Sequence, residues 1–515
     1  EVVKRIREYK KMVWSNTLSY LTTFNNIHHL DFLAGYEIDD TYNDYLSGEA
    51  YNFTTPDKHA ISNGMKTVSV GGSDSRYRLV SYLSRLNYDY KNKYYLGASF
   101  RVDGSSRLHR DNRWGTFWSV SGAWRTIEEE FMQPVKDWLT DLRIRASYGV
   151  NGTLPSDYFG YMGLSSISGG YLEQPGIQMS QIANPNLKWE TNYNMNIGLD
   201  FGFWDRLNFT IEYYTRTTKN LLMDCPVSMT TGFSSYLMNI GEVKNKGIEL
   251  TINSTNIKIK DFSWNTTFNL GHNSNKVVKL DGEQTQIVSG TQIHKVGSSY
   301  RTFYVQEFAG INPETGNPLF YTNELDENGN YIKEITENSK NAQFIPYKHA
   351  EPTVNGGISN SLRYKWLDLN FLFSYQFGGY SYDTWAQKTE HGGYDSYANI
   401  PTYYRDSWKK PGDQTNIEVY MLGKSSSVSM HKITSSRRIH STDYFRLKNI
   451  TFGITLPKEW TNKINIGNVR FYASASNLWT WAAYDNYDPE AVSAGSATQT
   501  TPPLKTVTFG LNINF

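Results

Sequence analysis

The sequence has 515 residues, with 51 basic and 50 acidic side chains and a formal net charge of +1, so nothing in its charge balance calls for nucleic acid or an anionic membrane surface as a partner. Its single cysteine, Cys225, can build neither an internal disulfide nor a thiolate metal centre. Mean hydropathy is −0.56 and no apolar run reaches the ~18 residues of a membrane helix, yet aromatics make up 15 % of the chain, with 38 Tyr and 14 Trp, and any fold must place them.

The first ten residues, from Glu1 to Lys10, are charged and lack the apolar stretch of a signal peptide, so the chain is expected to begin in the interior of a longer protein. From there on, period-two alternation dominates. Leu142, Ile144, Ala146, Tyr148 and Val150 alternate with Arg143, Arg145, Ser147 and Gly149. Between 189 and 203 the odd positions are Trp189, Thr191, Tyr193, Met195, Ile197, Leu199, Phe201 and Phe203, and the even ones Glu190, Asn192, Asn194, Asn196, Gly198, Asp200 and Gly202. Phe262 to Gly271 and Val507 to Phe515 repeat the pattern. One face of each segment is apolar and the other polar, which is a strand signature. About fifteen such strands are predicted, starting near residues 11, 28, 76, 92, 114, 141, 189, 206, 242, 261, 353, 366, 443, 467 and 505.

Many of these strands run to about 10–15 residues, twice the usual length and enough to cross a bilayer at a tilt. Short links (Asn25-Asn26, Asn92, Trp204-Asp205, 256–260, Lys365, 458–466) alternate with long ones (41–75, 152–188, 221–240, 276–352, 381–441, 479–503). That asymmetry is the pattern of outer-membrane barrels, with periplasmic turns and outer loops. The link 128–141 is longer, and Phe131, Val135, Trp138 and Leu139 at near-helical spacing predict one short helix there. The last strand then runs inward and leaves Phe515 in the periplasm, provided that 300–322 forms a hairpin within its outer loop. A soluble sandwich or propeller also alternates, but its strands are shorter and its links less uneven. The expected fold is therefore all-β, a transmembrane antiparallel β-barrel.

Six local motifs occur in one order. They are Asn184-Pro185-Asn186-Leu187-Lys188-Trp189-Glu190-Thr191; Asn239 to Glu249 with Gly241 and Asn245-Lys246-Gly247; Gly310-Ile311-Asn312-Pro313-Glu314-Thr315-Gly316; Trp408-Lys409-Lys410-Pro411-Gly412-Asp413; Tyr444-Phe445-Arg446-Leu447-Lys448-Asn449-Ile450; and Asn477-Leu478-Trp479 followed by Tyr487-Asp488-Pro489-Glu490. Together they resemble the SusC/RagA type of TonB-dependent outer-membrane transporter along nearly the whole chain. The resemblance implies a plugged barrel of about 22 strands, of which residues 1–515 would supply the C-terminal fifteen or so, with the N-terminal plug and about seven strands outside this sequence. It also implies two protein partners, TonB through the N-terminal region and a SusD-like surface lipoprotein as lid, besides the lipid bilayer and an oligosaccharide or peptide substrate.

Read for themselves, Asn-Pro and Pro-Gly-Asp are turn formers. Gly247 inside a strand suggests a bulge or a close approach, and Arg143, Arg145 and Arg446 share the polar faces of their strands. No nucleophile elbow, HExxH or phosphate loop is present, so no catalytic residue, cofactor or metal is expected and the chain is not read as an enzyme. His28-His29 is a turn rather than a metal pair. Asp326-Glu327-Asn328-Gly329-Asn330 resembles a calcium loop but lacks its spaced ligands, so a hairpin turn is expected.

The outer loop 380–408 carries Tyr380, Tyr382, Trp385, Tyr394, Tyr397, Tyr403, Tyr404 and Trp408 among Asp383, Gln387, Asp395 and Asn399. Rings beside amides and carboxylates suit sugars or peptides, which stack and hydrogen-bond at once. Trp385, Tyr394, Tyr397, Tyr403 and Tyr404 are the candidate substrate-binding or lid-contacting residues; the competing reading is an interfacial girdle or self-packing of the loop. The leading function is active import of oligosaccharides or oligopeptides across the outer membrane. A passive porin or structural barrel is the alternative, and a soluble β-rich glycan hydrolase is a third class that would need paired carboxylates across a cleft.

Overall fold

The computed structural model describes residues 1–53, 55, 57, 59–171, 174–280, 285–394, 399–423, 430, 432–464, 466–492, 494–497 and 500–514. Fifteen strands form one sheet in chain order, next to next: β1 Val2–Phe24, β2 His28–Phe53, β3 Gly64–Tyr90, β4 Tyr94–Ser105, β5 Trp114–Trp124, β6 Leu139–Thr153, β7 Glu190–Phe203, β8 Leu207–Lys219, β9 Glu242–Ile259, β10 Phe262–Lys279, β11 Val354–Tyr364, β12 Leu367–Phe377, β13 Tyr444–Thr455, β14 Asn468–Ala482 and β15 Thr506–Asn514. This up-and-down order is what short turns impose, because a two-residue link can only return the chain beside the strand it left. Asn25-Asn26, Lys91-Asn92 and Trp204-Asp205 each place two successive residues at positive φ, between 50° and 57°. Paired left-handed residues make the mirror-image turn that matches strand twist, and Asn and Asp accept it readily.

Several expectations fail locally, beginning with β1, which starts at Val2 rather than near residue 11. The link 41–75 is not a loop: β2 and β3 run on as 26- and 27-residue strands joined near Ile61–Asn63. The predicted helix over 128–141 is a pair of 3-10 turns, Thr126–Glu128 and Glu130–Val135, because Pro134 inside the segment removes a helical donor. The turn expected at 256–260 falls instead at Lys260-Asp261, since β9 persists to Ile259. Residues 300–322 do lie outside the large sheet, as Thr302–Gln306 and the hairpin Phe308–Ile311/Pro318–Tyr321.

Burial on these strands is inverted relative to a soluble sheet. On β7, Asn192 is 1 % and Asp200 7 % exposed, whereas Ile197 is 43 % and Leu199 36 % exposed. Water would penalise a continuous exposed apolar face at about 25 cal/mol per Å², so these faces are built for lipid.

The chain divides into two compact units. The first comprises Glu1–Met132, Arg143–Ile197 and Arg216–Glu242. On the outward face of β1 to β5, two rows of aromatic rings run across the strands. One joins Trp14, Tyr36, Tyr82 and Trp114 at centroid spacings of 6.0, 5.1 and 6.3 Å. The other joins His28, Tyr90, Tyr94 and Trp124 at 5.0, 6.3 and 6.4 Å. Leu18, Leu86, Leu96, Phe100 and Val120 lie between them, all exposed. Tyr82 and Tyr90 are eight positions apart on one strand, about 26 Å along it, which at a barrel tilt fits the apolar band of about 25 Å between aromatic girdles. Leu108, Phe117, Leu187 and Trp189 form a small core in this unit. Trp189 is thus withdrawn from the apolar face predicted for it: it precedes β7 and donates from Nε1 to the Arg113 carbonyl, 2.9 Å away.

The second unit comprises Gln133–Leu142, Gly198–Thr215 and Val243–Phe515. Here Gly247 is a close approach: a Cβ would fall 2.2 Å from the His272 carbonyl oxygen and 2.6 Å from the Tyr214 hydroxyl. Its long links carry structure of their own. A small sheet sets Tyr380–Asp383 between Ile439–Ser441 and Ser496–Ala497. Its Tyr382 and Ile439 pack with Phe303 and Val305 in one core, and Phe320, Ala342, Met430 and Ile433 form a second.

Candidate functional site

The six motifs meet in pairs, two of the pairs joining links between strands and the third a strand to a link. In the first unit, Asn239 accepts from the Lys188 backbone N–H and donates to its carbonyl, both at 2.8 Å, while Asn184 donates to the Leu237 carbonyl at 2.8 Å. In the second, Trp408 donates from Nε1 to the Pro313 carbonyl at 2.7 Å, and the Gly412 N–H reaches the same oxygen at 2.9 Å. Gly316, at φ +71°, lies under that ring: an added Cβ would sit 2.5 Å from Trp408, so only glycine satisfies both the left-handed backbone and the contact. The third pair joins β13 to the loop after β14. Arg446 Nη2 donates to Asp488 Oδ2 at 2.6 Å and Arg446 Nε to Thr480 Oγ1 at 3.0 Å; Arg446 Nη1 pairs with Glu490. Lys448 reaches Glu490 at 2.7 Å, and the Tyr444 hydroxyl donates to it at 3.0 Å.

The second unit also holds a short helix, α1 Thr384–Thr389. Six residues do not hold a helix by themselves, and both ends are pinned. Asp383 caps the start, accepting from the Ala386 N–H at 2.7 Å and from the Tyr484 hydroxyl at 3.0 Å. Glu390 closes the end, accepting from the Tyr403 hydroxyl and pairing with Arg438 and with Arg437 at 3.6 Å. Burial lowers the Arg438 pKa to about 10, which keeps it cationic at neutral pH beside that carboxylate. His440 stacks on Tyr484 with centroids 3.6 Å apart and planes 3° from parallel. Burial pushes its pKa down to about 4, so at neutral pH it is an uncharged ring.

This scaffold leaves Trp385 42 % exposed between two clefts. The larger, about 710 Å³, is lined by Trp385 with Asp383, Asn477, Asn486, Tyr487 and Lys505 among others. The smaller, about 300 Å³, adds Thr389, Asn399, Pro401 and Tyr403; Asp383, Trp385 and Asn486 belong to both. A ring with amides, a hydroxyl and a cation around it can stack on and hydrogen-bond a polar oligomer. A further hollow of about 690 Å³ follows the polar strand faces at His29, Asp31, Arg145 and Asn196 and is lined by strand residues alone.

Of the residues singled out from sequence, Trp385 and Tyr403 come together here. Tyr394 is 38 % exposed but lines neither cleft; Lys432 Nζ lies 5.0 Å from its ring centroid. Tyr404 is 5 % exposed, and burial followed by the Glu418 carboxylate raises its pKa, so its ring is packed inside and offers no free face. Tyr382 and Trp408 are likewise structural. Tyr397 lies outside the described residues. Asn477, Asn486, Tyr487 and Lys505 were not anticipated; the Tyr487-Asp488-Pro489-Glu490 motif was the available signal, since it marks where their loop docks. His28 and His29 are not the turn expected of them but the first residues of β2, and they diverge as adjacent strand residues must, His28 to the Tyr88 hydroxyl at 2.7 Å and His29 to Asp89 at 2.8 Å. Asp326 accepts the Asn328 and Asn330 N–H groups at 2.9 and 2.8 Å as the expected turn. Among the described residues no group of acidic, His or Cys side chains could hold a metal.

Comparison with known proteins gives concordant results. The family model described as "TonB dependent receptor-like, beta-barrel" matches residues 6–331. TonB-dependent receptor P3 of Formosa agariphila is 32 % identical over 97 % of this chain and 52 % of its own length. TonB-dependent receptor SusC of Bacteroides thetaiotaomicron is 30 % identical over 92 % of this chain and 47 % of its own. Among solved structures, that of the RagAB peptide transporter superposes with a TM-score of 0.87 at 27 % identity, covering 100 % of this chain and 56 % of the matched one. The chain spans about half the length of the curated relatives it matches.

Proposed function

Since this chain belongs to the TonB-dependent receptor β-barrel family of the outer membrane, we propose that it is the barrel wall and outer loops of an active importer of oligosaccharides or oligopeptides. The observation that carries the reading is Trp385, held exposed by a scaffold of long loops between two clefts whose lining mixes polar and apolar groups. Strands β1 and β15 are the two edges of the sheet, and an open edge in lipid is prohibitive, so a working barrel pairs both with further strands. A barrel that wide needs a plug to stay sealed, displaced through TonB, and a SusD-like lipoprotein is its lid. One solved relative is a peptide transporter, and a ring beside amides, a hydroxyl and a cation suits sugars as well as peptides.

Uptake by the intact transporter should stop when the inner-membrane proton gradient is collapsed, with surface binding of the labelled oligomer retained. Uptake that continues unchanged would make the protein a passive pore and end this reading. Running the same assay with mixed oligosaccharides and with mixed peptides separates the two substrate classes.

The proposed topology puts the short turns and the C-terminus in the periplasm. In whole cells, a membrane-impermeant maleimide should label Glu327→Cys, in an outer-loop turn, and spare Glu459→Cys, within the helical turn Lys458–Thr461. Equal labelling at both positions rejects the orientation.

A further inference from the structure

The cluster around Arg446 does more than join two motifs. The alternation of β13 places Tyr444 and Arg446 on one face, and Arg446 is buried, its side chain 3 % exposed. All three of its nitrogens are engaged: Nε by Thr480, Nη2 by Asp488 and Nη1 by Glu490. Asp488 uses its other oxygen to cap the turn Pro489–Ala491, accepting from the Glu490 N–H at 2.9 Å, and Glu490 takes Lys448 and Tyr444 as well. Two cations and two carboxylates are therefore matched only while the loop is docked. A buried charge without its partner is strongly unfavourable, which makes docking close to all-or-none.

The same loop then reaches α1. Just before Asp488, the Tyr487 hydroxyl bonds Ser381, and the Tyr484 hydroxyl donates to Asp383 at 3.0 Å while its ring covers His440. Asp383 is the residue that caps the helix carrying Trp385. The contacts form an unbroken series: Arg446 to Asp488 and Glu490, residues 484–487 to Ser381 and Asp383, Asp383 to α1 and Trp385.

We propose that Arg446 is a positioning residue for the Trp385 cleft, acting through an ionic latch that docks residues 484–490 and thereby fixes the orientation of α1. The proposal rests on the cleft being a binding site, but its test does not use a ligand.

In the full-length transporter, freed of other reactive cysteines, a nitroxide is attached at Lys388→Cys, an exposed position on α1. The label should be immobilised in the otherwise native protein. Arg446→Gln and Asp488→Asn should each mobilise it several-fold, the double variant should add nothing to either single one, and Arg446→Lys should restore part of the immobilisation. Heat-modifiable migration on gels reports barrel integrity separately. Asp488→Asn alters only the loop, so it decides the matter if Arg446→Gln does not insert. Unchanged label mobility in a folded Asp488→Asn barrel, or single effects that simply add in the double variant, would overturn the latch. Loss of substrate binding in Trp385→Ala with the latch intact bears on the cleft alone, so the two ideas fail independently.

Discussion

Leu199→Arg should cost the folded barrel about 2–4 kcal/mol, the range for a cation on the lipid face near the bilayer midplane. Leu199 lies on the exposed apolar face of β7, four positions before Phe203 at the short-turn end. That is half the eight-position spacing of the two aromatic rows on β3, which puts it near the middle of the apolar band. Asn196→Arg on the same strand should cost under about 1 kcal/mol, as expected for a substitution away from lipid and core, because Asn196 faces a hollow of about 690 Å³, lined also by His29 and Asp31, that admits a longer side chain. The comparison is read as folded fraction across a urea series in phospholipid, with gel migration as the signal. Similar losses for both variants would mean that the face assignment of β7 is reversed or that it does not meet lipid.

The second large effect concerns the cleft. With the oligomer that sustains uptake as titrant, Trp385→Ala/Tyr403→Ala should weaken binding by about 2–3 kcal/mol, some 30- to 150-fold. The figure sums the ~0.5–1.5 kcal/mol that each stacked ring contributes beyond area burial with the apolar area lost. Barrel yield should not change, since Trp385 is exposed and Tyr403 is held by one hydrogen bond to Glu390. Tyr394→Ala supplies the contrast: that ring is equally exposed but lines neither cleft, and its removal should leave affinity within twofold. Equal losses for Tyr394→Ala and Trp385→Ala would show general stickiness of the loop rather than a cleft. No loss from the double variant in an inserted barrel would make these rings packing material.

The strands were legible because their signal is local. Period-two alternation assigns every residue of a strand to one of two faces without reference to anything distant, and Asn25-Asn26 or Trp204-Asp205 announces a tight turn by its own backbone preference. Each of the fifteen predicted strands therefore has its counterpart in the sheet, although β1 starts at Val2 rather than near residue 11 and β3 at Gly64 rather than near 76. What failed was also local, but decided by pairing. Residues 41–53 and 64–75 are polar and read as a loop, yet each offers the other a complete hydrogen-bonding edge, so β2 and β3 extend together. Trp189 shares the parity of Tyr193 and Leu199 but is drawn under Phe117, with ring centroids 5.2 Å apart, because it stands just outside the strand.

The sequence by itself determined the membrane-barrel architecture, the tight turns at Asn25-Asn26, Asn92, Trp204-Asp205 and Lys365, and the loop rich in aromatics. Which of those aromatics are free was decided by tertiary structure alone. Tyr382, Tyr404 and Trp408 have the same composition around them as Trp385, yet packing, burial beside Glu418 and the fit onto Gly316 withdraw them. The deciding contacts, Tyr484 to Asp383 and Tyr487 to Ser381, span 101 and 106 residues of chain. No periodicity encodes such a distance, because side-chain exposure in a long loop depends on what the fold brings over it, and here that is a second loop held down by Arg446.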